Sequence, residues 1–164
     1  MQIILNERTK IAYERLKGQI YINIPIIYEG SANNDRILFV YDTGAYITVI
    51  NNALYKQFKL EKLPRKKTAL SGYAGSASGY MFQFPGLIIG QRLLTGVWAF
   101  TPKSMEIQQN LLGDNIIEYF TIYQDNFNDC LYFLDNPKPQ PYIHPESNFS
   151  LACDNVLYVG DFHF

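Results

Sequence analysis

The sequence predicts an all-β protein. Three observations carry that reading: short runs rich in Ile, Val, Tyr and Phe recur along the chain, clusters of Gly, Asn, Asp and Ser separate them, and few segments have helical spacing. With 164 residues, 48% of them hydrophobic and 15% aromatic, the chain can bury a substantial core and is expected to hold one domain. A net charge of −1 gives no reason to expect a nucleic acid or an anionic membrane as partner.

Cys130 and Cys153, with only His144 and His163 beside them, show no metal-ligand spacing, so neither a metal nor another cofactor is expected. The opening MQIILNERTK is charged by position 7, and no apolar run approaches the length of a membrane span. A soluble, cytoplasmic protein is the expectation, and a single cysteine pair is compatible with a reducing compartment.

Taken in order, QIYINIPIIY (19–28) alternates and contains a proline, which predicts a strand near a sheet edge, with a loop at SANND. ILFVY (37–41) predicts a buried strand. NNALYKQFKLEKL (51–63) predicts one or two helical turns with Leu54, Phe58 and Leu60 inward. The basic LPRKKTAL reads as a solvated face. LSGYAGSASGYMFQF (70–84) predicts a long hairpin with a thin glycine-rich tip; no Gly-Lys-Ser/Thr follows, so it is not a phosphate loop. GLIIG and TGVWAF continue as strands. LLGDNIIEYF predicts an apolar pair, a glycine and a short helix with Asp114 near its start, and TIYQD and CLYFL follow as strands around the turn NFND. Pro137, Pro139, Pro141 and Pro145 mark a stiff linker before two last strand-like segments, SLAC and VLYV.

One residue interrupts this pattern in a way that asks for a reason. In ILFVYDTGAYITVI, Asp42 stands between two apolar runs, and a carboxylate in such a place needs donors or a task, because burying an unpaired charge costs more than packing returns. Asp-Thr-Gly is also good turn chemistry. A surface hairpin, however, shows polar alternation up to its turn, and here four apolar residues lead in and Thr48-Val49-Ile50 lead out.

Together, VYDTGAYITVI, GYAGSASGY and LLGDNIIEYFTIYQDNFNDCLYFL resemble the catalytic loop, the flap and the glycine loop, helix and terminal strands of the retropepsin-like aspartic proteases, the single-lobe relatives of pepsin. The order and spacing match over residues 20–134. The resemblance implies a closed acid-protease half-barrel with a flap hairpin and one short C-terminal helix, working as a two-fold homodimer on peptide or protein substrates. It divides the chain into a protease domain, 1–135, and a Pro-rich linker with a strand-like extension, 136–164. The chain differs from the viral members in carrying Asp114 where they have Arg.

What the resemblance implies for single residues is specific. Hydrolysis without a metal needs one carboxylate to take a proton from water and a second carboxyl to hydrogen-bond the carbonyl oxygen. Each chain has one Asp-Thr-Gly, so Asp42 is the expected catalytic residue and its twin comes from a second copy. Thr43 is expected to bond across the axis, and Gly44 to bring backbone N–H close to the carboxylates. Ala45 and the flap tip, Tyr73, Ala74, Gly75 and Ser76, are expected to contact substrate, and MQIIL, TIYQD and CLYFL to pair across the two-fold axis. Two other readings use the same residues: a non-catalytic dimerisation or peptide-binding module, and a protease inhibited by its own tail.

Overall fold

The computed structural model describes residues 5–28, 35–72, 75–136 and the backbone of 156–158. In chain order the elements are β1 (Lys10–Leu16), β2 (Gln19–Pro25), β3 (Arg36–Tyr41), β4 (Thr48–Val49), α1 (Asn52–Gln57), β5 (Arg65–Gly72), β6 (Gly75–Phe84) and β7 (Leu87–Ile89). They continue with β8 (Arg92–Leu94), β9 (Val97–Pro102), β10 (Leu111–Leu112), α2 (Asp114–Ile117), β11 (Phe120–Asp125), β12 (Cys130–Asp135) and β13 (Val156–Tyr158). One sheet runs β11-β12-β1-β2-β3-β10-β4-β9-β6-β5-β13, and β7 with β8 makes a separate hairpin. The protein is all-β, with two short α-helices and two 3-10 turns among the described residues.

Most elements lie where the sequence pattern places them, and β2 does not lie at an edge. KIAYERL, unassigned from sequence, forms β1 and pairs with β2, which places β2 between β1 and β3. The connection is the two-residue turn Lys17-Gly18, whose φ values of 52° and 78° are both left-handed, the geometry that tight hairpins favour. Pro25 is tolerated because it is the last residue of β2.

Alternation then does the sorting. Ile22 and Ile24 on β2, and Ile37 and Phe39 on β3, point into a large core with Tyr55, Phe82, Phe84 and Phe133. Val40, on the opposite face of β3, joins a smaller cluster of Ala45, Ile47, Val49, Met81, Phe100 and Leu111. Each large side chain so buried contributes about 1.5–3 kcal/mol. The second cluster forms the floor beneath the Asp42 loop.

α1 begins where Asn51 Oδ1 accepts from Leu54 N at 2.9 Å. Phe58 and Leu60 are buried and Leu54 is half-buried, as its spacing implies. At the β11–β12 turn, Asp125 accepts from the Asn128 amide and from the backbone N–H of Asn128 and Phe127. The Asn128 side-chain bond foremost, with these backbone bonds, holds its carboxyl below the usual range. That bonding is complete above the ordinary Asp range and is lost as pH falls through the lowered value. An NMR titration of Asp125 with a midpoint at or above that of a free aspartate contradicts this.

One expectation about the seam changes. CLYFL is β12, which pairs with β1 on one side and β11 on the other, so from Cys130 to Tyr132 neither edge is open to a second chain. Among the described residues TIYQD, as β11, pairs only with β12 and ends the sheet. Residues 1–4, SLAC and the linker prolines lie outside the described residues. Val156–Tyr158 joins neither the β11 end of the sheet nor the Asp42 loop; it lies parallel to β5 at the opposite end.

Candidate active site

β3 carries the chain to Asp42, and β10 fixes where it stops. β10 lies between β3, to which it is parallel, and β4, to which it is antiparallel, with Leu111 opposite both Val40 and Val49. The two strands that flank the Asp42 loop are thereby separated by a third, and the loop must arch across its end. Val40 N donates to Asn110 O at 2.7 Å and Asp42 N to Leu112 O at 3.2 Å, which pins the last residues of β3.

Within the arch, Gly44 N donates to Asp42 Oδ1 at 3.0 Å and Ala45 N to Asp42 O at 3.2 Å. Asp42 is half-buried, while Thr43 and Gly44 are exposed at the turn. Ala45, expected against substrate, has no exposed surface in the single chain; its methyl lies in the smaller cluster. The cause is the arch itself, which turns back into the floor at this residue.

α2 is docked on the same loop. The first N–H groups of a helix lack intrahelical acceptors. Here Asp114 N donates to Ala45 O at 2.8 Å and Asn115 N to Tyr46 O at 3.3 Å, so loop carbonyls take the place of a side-chain cap. Gly113 makes this approach possible. A Cβ at Gly113 would stand 2.5 Å from Ile47 C and 2.6 Å from Ile47 O, both backbone atoms that cannot turn aside.

Sequence reasoning missed two asparagines that tie the site together. Asn115 Oδ1 accepts from both Thr48 N and Thr48 Oγ1 at 2.8 Å, and its Nδ2 donates to Trp98 O at 2.7 Å. Thr48 Oγ1 in turn accepts from Gly113 N at 3.1 Å. Asn110 Oδ1 accepts from Asn51 N at 2.8 Å, and its Nδ2 donates to Leu38 O. The available signal was Thr48: a hydroxyl within the apolar run ITVI must find a partner once buried. Asn115→Ala should cost about 1–3 kcal/mol, since it strands buried donors of Thr48 and the Trp98 carbonyl. Urea denaturation reads this, and an unchanged midpoint contradicts it.

Nearby, burial and then the Asp114 carboxylate push the Tyr41 phenol above its ordinary range. Its ring stands edge-on to Phe133 at 6.3 Å, which places an uncharged aromatic wall behind the end of β3.

The hairpin expected over the site is β5 with β6. Its strands stay in register from Arg65↔Phe82 to Gly72↔Gly75, and Ser71 Oγ lies 2.9 Å from Ser76 Oγ. Gly75 and Ser76 are exposed; Tyr73 and Ala74 lie outside the described residues. The base is fastened twice. Arg65 Nη1 donates to Tyr55 OH at 3.0 Å while its guanidinium stacks 4.4 Å above the Tyr80 ring. Gly79 allows β6 to lie against β9, where a Cβ would fall 2.0 Å from Thr101 O.

Residues 28–119 match the family model described as "gag-polyprotein putative aspartyl protease". Among solved structures, a retropepsin-like aspartic protease from Rickettsia conorii is 24% identical, with a TM-score of 0.54 over 76% of this chain and 87% of that one. EIAV protease in complex with the inhibitor HBY-793 is 18% identical, with a TM-score of 0.45 over 64% of this chain and 90% of that one. No curated protein matches the chain. The matched residues contain the Asp42 arch, the β5–β6 hairpin and the Gly113 approach, and the chain belongs to the gag-polyprotein aspartyl protease family, with a retropepsin-like fold.

Proposed function

We propose that the protein is an aspartic endopeptidase whose active unit is a two-fold homodimer, with one Asp42 from each chain. The observation that carries this reading is the Asp42 arch, in which the Asp42 backbone N–H at the end of β3 donates to Leu112 O, the carboxylate accepts from Gly44 N, and an exposed Thr-Gly turn tops the loop. A scaffold has no use for a carboxylate so placed. In the dimer one Asp42 takes a proton from the attacking water, and the other, protonated, donates to the substrate carbonyl oxygen. Collapse of the tetrahedral intermediate then passes a proton to the departing amine. The substrate is an extended peptide lying between the two arches and the β5–β6 hairpins, bonded through its backbone as an added strand.

The open edge of β11, with Thr121, Tyr123 and Gln124 exposed, is the place where a second copy would continue the sheet and cover an otherwise unpaired edge. Mapping cleavages in a diverse peptide library by mass spectrometry tests the activity. No cleavage at any tested pH, from a preparation that sediments as a dimer, sinks the reading and favours a peptide-binding module. Activity per chain should also fall as dilution dissociates the dimer, and sedimentation showing a fully active monomer would refute the shared dyad.

A further inference from the structure

The β5–β6 hairpin has a base paired to β9 and an arm that reaches beyond β9, with Leu70 and the half-buried Ala77 packed on the smaller cluster. β6 pairs with β9 over residues 79–84, and one more bond, from Lys103 N to Ser78 O at 2.9 Å, ends that attachment. Thr68 stands opposite Gly79 on β5. Beyond this point residues 69–72 and 75–78 pair with each other, and among the described residues the one strand added to them is β13. Its register is Val156↔Ala69, Leu157↔Leu70 and Tyr158↔Ser71, all within the arm. β13 takes the outer edge of β5, the last position of the sheet.

Charge favours the same occupant. Residues 56–67 carry Lys56, Lys59, Lys62, Arg65, Lys66 and Lys67 against Glu61 alone, and Arg65, Lys66 and Lys67 are exposed on β5 immediately before the arm. Residues 137–164 carry Lys138 against Glu146, Asp154 and Asp161. The segment that contains Val156–Tyr158 is thus net-acidic in sequence, the edge it adjoins follows a basic stretch, and edge strands accept added strands through backbone hydrogen bonds.

We propose that the C-terminal segment is an intramolecular strap: Val156–Tyr158 docks on the free edge of the hairpin arm and restrains it, and its release precedes entry of a peptide beneath the hairpin. The second half of this statement rests on the reading of the hairpin as the cover of a peptide site. Three residues make a short ladder, and such an element opens locally without unfolding the sheet.

Hydrogen exchange read by mass spectrometry tests the strap on the full-length chain, without reference to activity. Two variants release it by different routes: Leu157→Pro with Tyr158→Pro removes N–H groups from β13, and Lys66→Glu with Lys67→Glu reverses the charge beside it. In the proline variant, amides of residues 69–71 should exchange at least about tenfold faster, those of residues 75–78 on the untouched side should follow, and those of β9 should not change. The charge variant should move the same amides in the same direction. Unchanged exchange in the proline variant overturns the docking. Faster exchange in residues 69–71 with none in 75–78 overturns the restraint. Protection that falls when the unmodified protein is diluted would place a second chain's tail there and overturn the intramolecular strap. Peptide cleavage is scored separately: a lower KM in the released variants supports gating of a peptide site. Altered exchange with no cleavage by any variant keeps the strap and counts against the peptidase.

Discussion

Asp42→Asn should leave the fold and the dimer intact and reduce peptide hydrolysis by a factor on the order of 10³ or more, because an amide cannot take the proton from water. The substitution is nearly isosteric, and backbone contacts help to place residue 42. Asp42 N bonds Leu112 O, Asp42 O accepts from Ala45 N, and the carboxylate accepts through Oδ1 from Gly44 N. An amide oxygen can accept that bond as well. The variant should therefore melt close to the parent while losing turnover. If it cleaves at an undiminished rate, Asp42 is not the base; if it unfolds, the carboxylate is structural and the loss of activity says nothing about chemistry.

Gly113→Ala should be among the most destabilising single-methyl additions to this chain. Its backbone is extended, with φ −96° and ψ 175°, so the objection to a side chain is space and not dihedral strain. The atoms in the way, Ile47 C, Ile47 O and Thr48 N, belong to the strand that leaves the Asp42 arch. Making room means moving α2 away from Ala45 O and Tyr46 O, or moving the arch itself. Overpacking of this kind costs about 1–3 kcal/mol and occasionally more, which for a chain of this size lowers Tm by roughly 3–12 °C. Gly96→Ala is the control: nothing lies within 4 Å of its Cβ, and its penalty is confined to the left-handed φ of 67°. A Gly113→Ala protein as stable as the parent would show that the arch and α2 are not rigidly docked. The expected variant also loses activity, through displacement of Asp42 and not through chemistry.

Gly113 stood out in the sequence because Leu111-Leu112-Gly113 followed by a helix is a local pattern; that the missing Cβ permits a close approach to the Asp42 loop is what the fold adds. Asp42 was legible for a related reason, since a carboxylate between apolar runs violates the pattern around it. What escaped was non-local. Asn115 looks like any polar residue in a helix's first turn, and its role exists only because the fold brings Thr48 and Trp98 to it from 67 and 17 residues away. β1 escaped because three of the seven residues of KIAYERL are charged and only Tyr13 is fully buried, so its alternation is hidden by long polar side chains on the solvent face. The interior position of β2 follows from β1 and could not be inferred without it. The burial of the Ala45 methyl in the single chain also escaped, because the sequence does not reveal the direction in which a turn residue's methyl points.

The claim at the centre of this account is that two chains share one site, and subunit mixing tests it most directly. Wild-type protein is equilibrated with a roughly tenfold excess of Asp42→Asn protein, at concentrations where both are dimeric, and cleavage is measured per wild-type chain. Random pairing leaves only about a tenth of the wild-type chains with a wild-type partner. If the dyad needs an Asp42 from each subunit, activity per wild-type chain falls to about that tenth. Activity that stays constant as the excess grows would mean that a single chain holds a complete site, and would contradict the account.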